Sequence, residues 1–186
     1  MIPILIAYST AEGQTRKIAE FMGSALAEAG YRADVVEIGT PQEAQVQPLY
    51  SAAIVGGSVH AGRHSGQLAQ FVRANEGWLK AIPFAFFSVS LTAARDDSAA
   101  QDATQRMLDE FIAATGLTPA RSCRIAGALR YSEYGPVKRA LMKTVVARAG
   151  GPTDTSLDHE FTDWEDVRRF VLEFVRDYDG QPRKVA

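Results

Sequence analysis

The 186-residue chain predicts an α/β protein, a doubly wound parallel sheet of five strands covered by helices on both faces. Three observations predict it. Short apolar runs alternate with helix-period segments along the chain, the pattern of parallel strands joined by crossover helices. The strand candidates are apolar nearly throughout, as strands buried on both faces are. The first of them empties into a hydroxyl-rich loop that leads straight into a helix.

Taken in order, Ile2-Pro3-Ile4-Leu5-Ile6-Ala7 is the first buried strand. Ile18, Met22, Ala25, Leu26 and Ala29 recur at helical spacing, so a helix starts near Gln14 and stops at Gly30. Residues 31–38 alternate weakly as a second strand, closed by Gly39-Thr40-Pro41. Tyr50 to Gly57 is a third strand, running into a flexible, polar loop over residues 57–64. Leu68, Phe71, Val72 and Leu79 mark a helix, and Pro83 to Val89 a fourth strand entered by proline. Met107, Leu108, Phe111 and Ile112 line the next helix, which Gly116 and Pro119 end. A fifth strand is expected over 123–130. The last helix carries Trp164, Val167, Val171, Phe174 and Tyr178 as its buried stripe, with Thr162 or Asp163 as its cap. A single domain over 1–179 is expected, with an insert at about 131–160 and a frayed tail at 180–186.

Hydrophobic residues make up 46% and charged residues 23%, ordinary for a globular protein. A formal charge of −2 argues against general nucleic-acid binding. The lone cysteine, Cys123, rules out an internal disulfide or a CxxC redox pair, so redox chemistry would need a cofactor. The three histidines lack metal-ligand spacing, and no G-x-S-x-G elbow is present. No apolar run reaches bilayer-spanning length, and the chain begins without a basic leader, so a cytoplasmic protein is expected, with membrane contact only at the surface.

The first loop, Ser9-Thr10-Ala11-Glu12-Gly13-Gln14-Thr15, joins backbone N–H groups, hydroxyls and a helix N-terminus, which suits an anion. It matches neither a P-loop nor G-x-G-x-x-G. An ordinary capped βα turn is the plain alternative. The loop resembles the phosphate loop of flavodoxins, whose sheet order is 2-1-3-4-5 with FMN between strands one and three. The likeness implies that two more strand-end loops, 57–64 and 88–95, hold the flavin ring. The ring-contact candidates are Ser58, Val59, His60, Ala61 and Gly62, then Ser88, Val89, Ser90 and Leu91. His60 and His64 read equally well as plain loop residues. Gly56, Gly57 and Gly62 would allow the backbone to approach a planar ligand closely. Neither loop carries Trp or Tyr, which suggests a ring open on one face.

Between strand five and the last helix the chain departs from a minimal flavodoxin. Residues 121–148 hold seven basic residues and one acid, a local charge of +6 in a chain whose remainder is −8. A helix is predicted from Pro136 to Gly150, with Leu141, Met142, Val145, Val146 and Ala149 on an apolar arc flanked by Arg139, Lys143 and Arg148. Such a helix can lie on an anionic membrane surface, hold a carboxylate-bearing ligand, or simply pack on the domain with its charges in water.

Here a closer resemblance appears. Ala126-Gly127-Ala128-Leu129-Arg130-Tyr131, the basic helix, Gly150-Gly151-Pro152-Thr153-Asp154-Thr155 and Phe161-Thr162-Asp163-Trp164 resemble the menaquinone-dependent protoporphyrinogen IX dehydrogenase family. Ser9-Thr10, Gly13-Gln14-Thr15 and Phe86-Phe87-Ser88-Val89-Ser90-Leu91 are similar to that family's flavin loops. The resemblance implies an FMN enzyme of haem biosynthesis that oxidises protoporphyrinogen IX and passes electrons to menaquinone or another quinone. Arg130, Lys138, Arg139 and Lys143 become candidates for substrate propionates or a membrane surface. An electron carrier or quinone reductase, and a flavin-less binding module, are the other readings open on the residues.

Overall fold

The structure, a computed structural model, describes residues 2–133, 135–148 and 154–179. Five long strands run parallel: β1 (Ile4–Ser9), β2 (Ala33–Glu37), β3 (Ala52–His60), β5 (Phe84–Ser90) and β6 (Arg121–Ala126). Their spatial order is β2-β1-β3-β5-β6, which is the expected 2-1-3-4-5 of the long strands alone. A two-residue strand, β4 (Arg63–His64), adds antiparallel to β3 and makes the sheet six-stranded.

Alternate residues of each strand feed the two faces. Ile4, Ile6 and Tyr8 of β1 pack under α1 (Gln14–Glu28) and α6 (Trp164–Asp179), with Phe87, Val167, Val171 and Phe174. Leu5 and Ala7 face the other way, toward Leu68, Phe71 and Val72 of α2 (Gly66–Ala74) and Leu108 and Phe111 of α4 (Ser98–Thr115). Both faces are dry, which is why these strands read as continuous apolar runs.

Several boundaries differ from the sequence reading. The helix expected across 68–79 is broken at Asn75. Its side chain donates to the Phe71 carbonyl and accepts from Trp78 Nε1, and a short α3 (Glu76–Leu79) follows. Asp163, not Thr162, caps α6, its carboxylate accepting from the N–H groups of Glu165 and Asp166. Strand five stops at Ala126. Ala128–Leu129 form a separate strand, β7, paired antiparallel with β8 (His159–Glu160), so the insert begins on this ribbon. Its helix α5 (Pro136–Arg148) starts at the proline as expected. Val146 of α5 packs with Leu129 and the fully buried Tyr131 in a small third core, joined by Leu91 and Phe161. The side chains of Lys138, Leu141, Met142 and Val145, and all of Ala149 to Thr153 and the 180–186 tail, lie outside the described residues.

The segment expected as a flexible 57–64 loop is instead a β-hairpin. Val59 pairs with His64 and His60 with Arg63, leaving Ala61 and Gly62 as a two-residue turn. Both have positive φ, 48° and 78°, the geometry of the tight turn whose twist matches its strands. The polar composition of this segment conceals its strand character.

Candidate functional site

Strand register brings three carboxyl ends together. Ser9 pairs with Gly57, and Gly57 and Ser58 pair with Ser88 and Val89. The loops after β1, β3 and β5 therefore share one edge of the sheet, at the switch in strand order between β1 and β3 where ligands of such sheets sit.

In the first loop the hydroxyls divide their work. Ser9 is hydrogen-bonded to Ser65 at 2.9 Å, and Ser65 in turn caps α2 by accepting from the Leu68 N–H. Thr10 Oγ1 accepts from the Gly13 N–H at 3.0 Å and closes the loop on itself. Gly13 stands at the N-cap of α1 with φ 84°, and no side chain caps that helix. Thr15 is fully buried on the first turn of α1, and its Oγ1 is the one buried side-chain oxygen without a hydrogen-bond partner among the described residues. An unpaired buried hydroxyl costs roughly 1–3 kcal/mol, so its place beside an uncapped helix N-terminus points to an anionic ligand. Ala11 is exposed at the loop tip, and Glu12 is half-buried.

On the ring side, His60, Ala61 and Gly62 are exposed at the hairpin tip, with Ser58 and Val59 half-buried below them. Val89 is buried in the α1 and α6 core. Ser90 Oγ accepts from the Ala93 N–H and shapes the turn at Thr92–Ala94, while its carbonyl accepts from the Gly127 N–H. Ser88 points to the α2 and α4 face, where its Oγ lies 2.9 Å from His64 Nε2. His64 packs edge-on against Phe86 and Phe111, and burial pushes its pKa down to about 4, so it is neutral near pH 7. It lines a cavity of about 200 Å³ together with Arg63, Met107, Glu110 and Phe111. His64 is thus turned toward α4, away from the hairpin tip.

Two glycines have a different role from the expected one. A Cβ on Gly56 would stand 2.3 Å from the Phe87 ring, and one on Gly57 2.7 Å from Leu68. Their smallness admits core side chains, not a ligand. Gly62 has open space around it and is required by its turn.

The insert is fastened to both halves of this edge. Buried Gln14 donates to Thr162 Oγ1, which itself donates to the Ala126 carbonyl. Arg130 Nη2 donates to Gln14 Oε1 at 3.4 Å. Lys17 pairs with Glu160 at 2.6 Å, and Trp164 Nε1 donates to the same carboxylate. Burial pushes the Glu160 carboxyl upward, but hydrogen bonds from Lys17, Trp164 and Gln14 outweigh it and hold the pKa below its ordinary value. Arg139 Nε donates to the Tyr131 carbonyl, and Lys143 is exposed on α5. Of these candidates Arg130 is placed at the first loop, and the Lys138 side chain lies outside the described residues. The Gln14 contact spans 116 residues of sequence, and no local pattern signals it.

Comparison with known proteins agrees with this geometry. Residues 5–156 match the flavodoxin domain family. Among solved structures, a short-chain flavodoxin associated with a non-canonical PDU bacterial microcompartment superposes with a TM-score of 0.59 at 14% identity, over 95% of this chain and 99% of that one. Oxidised flavodoxin 1 from Bacillus cereus gives 0.52 at 16% identity, over 94% and 97%. At the sequence level, the chain is 35% identical over 171 residues to protoporphyrinogen IX dehydrogenase (quinone) of Escherichia coli K12, covering 92% of this chain and 93% of that one. The corresponding protein of Leishmania major is 34% identical, over 92% of this chain and 74% of its own. Membership implies a flavin, and the residues fit one: an uncapped helix N-terminus and an orphaned Thr15 hydroxyl suit its anionic end, and two adjoining strand-end loops suit its ring. The chain belongs to the flavodoxin-domain family of quinone-linked protoporphyrinogen IX dehydrogenases.

Proposed function

We propose that this protein oxidises protoporphyrinogen IX to protoporphyrin IX, using FMN as its flavin and a menaquinone-type quinone as acceptor. One observation carries the reading beyond a generic flavodoxin: the basic insert is built into the flavin edge. Leu91 of the β5 loop packs with Leu129, Tyr131 and Val146 of the insert, and Arg130 reaches Gln14 of the first loop. A segment meant only to cover a distant surface would not need both attachments.

The division of labour follows from the residues. Thr15 and the backbone N–H groups at the start of α1 would hold the phosphate of FMN. Ser58 to Gly62 and Ser88 to Leu91 would border the ring and leave one face open to a bulky substrate. When bound, FMN supplies the two-electron redox chemistry, taken in repeated steps. The protein positions that group and admits its partners. Among the described residues no helix is long and apolar enough to cross a membrane, so quinone would be met at the membrane surface. Lys138, Arg139 and Lys143 on α5 suit anionic headgroups or the propionates of a porphyrinogen.

An anaerobic assay tests this directly. FMN-loaded protein, protoporphyrinogen IX and a soluble menaquinone analogue are mixed, and porphyrin fluorescence is followed against a no-enzyme control. Quinone-dependent fluorescence above the control is expected. No acceleration by protein whose FMN is bound and reducible would overturn the reading in favour of an electron carrier or quinone reductase.

A further inference from the structure

The first loop poses an electrostatic problem. A flavin phosphate carries close to two negative charges near neutral pH, and the loop offers hydroxyls and N–H groups together with a carboxylate, Glu12. The basic residues at the start of α1, Arg16 and Lys17, are engaged elsewhere: Arg16 with Glu37 and Lys17 with Glu160, each at 2.6 Å. A cation that reaches this helix start from another element is Arg130, whose guanidinium lies 3.4 Å from Gln14 Oε1. Gln14 is itself immobilised, being buried and hydrogen-bonded to Thr162. Next to it in sequence stands the orphaned, fully buried hydroxyl of Thr15. The opposing charge near Arg130 is Asp158, whose carboxylate is held below its ordinary pKa by the Ser132 N–H and hydroxyl and by the Arg130 charge.

We propose that Arg130, although it belongs to the insert, supplies the cation of the phosphate loop: held on Gln14, its guanidinium meets the phosphate of FMN and makes the protein discriminate FMN from riboflavin. The geometry suits a planar donor set, which can serve the Gln14 carbonyl oxygen and a phosphate oxygen at once. This rests on the reading of the flavin as FMN. It also assigns Arg130 a task separate from that of Lys138, Arg139 and Lys143, which lie on α5.

The test is a pair of titrations of flavin-free protein, with FMN and with riboflavin, followed by flavin fluorescence at low and moderate salt. Wild type is expected to bind FMN much more tightly than riboflavin. Arg130→Ala should weaken FMN roughly 10–100-fold, the range for loss of a charge-assisted hydrogen bond, and flatten its salt dependence. Riboflavin affinity should change by less than about twofold. Arg130→Lys should recover part of the loss, because it keeps the charge without the fork. Equal weakening of both flavins by Arg130→Ala would show a merely structural role and overturn the proposal, as would unchanged FMN affinity. A wild type that binds FMN and riboflavin alike would overturn the FMN reading itself, and the proposal with it.

Discussion

His64 gives the fold a specific acid sensitivity. Its imidazole is largely buried against Phe86 and Phe111 with Nε2 on Ser88, and burial lowers its pKa from 6.5 to about 4. At about 1.4 kcal/mol per pH unit, that difference corresponds to about 3 kcal/mol. The sign follows from proton uptake. The unfolded chain binds a proton below pH 6.5, whereas the folded protein resists doing so until about pH 4. The contribution of neutral His64 is therefore complete above pH 6.5, declines as the pH falls toward 4, and is fully lost below that. Arg63 and Glu110 border the same cavity and are common to any comparison at this position. The perturbation is His64→Gln, which keeps a neutral hydrogen-bonding group opposite Ser88. The assay is urea unfolding at several pH values between 7.5 and 4. Wild type should lose about 2–3 kcal/mol more than the variant across that interval. Parallel stability curves, or a His64 resonance titrating near pH 6.5, would refute the argument.

Other outcomes follow from the packing and the caps. Gly56→Ala should destabilise by about 1–3 kcal/mol, the cost of overpacking, and Phe87→Leu should recover much of it in a double-mutant cycle, because the added Cβ collides with that ring. Asp163→Ala should cost about 1 kcal/mol in urea unfolding through loss of the α6 cap. Thr15→Val should leave the stability of the flavin-free protein unchanged or slightly raised, since it replaces an unpaired buried hydroxyl, while weakening FMN roughly tenfold; unchanged FMN affinity would remove Thr15 from the phosphate site.

Much of the architecture was legible because burial on both faces leaves a plain signature. The runs at Ile4–Ala7, Ala52–Val55 and Phe84–Phe87 are apolar without alternation, and the α6 stripe keeps strict helical spacing. The hairpin at the end of β3 escaped because three of its four paired residues, His60, Arg63 and His64, are polar, and their place is fixed by pairing rather than by their own strand preference. The first loop was legible as a candidate anion site, but its three hydroxyls looked alike. Only the fold separates Ser9, used on Ser65, and Thr10, used on Gly13, from Thr15. The roles of Gly56 and Gly57 were likewise hidden, since a glycine that admits a ligand and one that admits Phe87 are the same letter. Arg130 read as one more charge in a basic stretch, and its nearness to Gln14 depends on how the ribbon returns the chain to α1.

That ribbon has a consequence for how the two halves of the protein can be separated. Leu129 and His159 face each other across β7 and β8, so the chain leaves the flavodoxin frame and re-enters it at almost the same point. The insert is in effect a graft with a closed neck. A tight turn spliced between Leu129 and His159 would spare all five long strands, along with Gln14, Thr15 and Thr162, while removing Arg130 and α5. The trimmed frame would keep Gln14 and Thr15 but lose the cation proposed for the phosphate, so the seam itself divides the phosphate site between frame and graft.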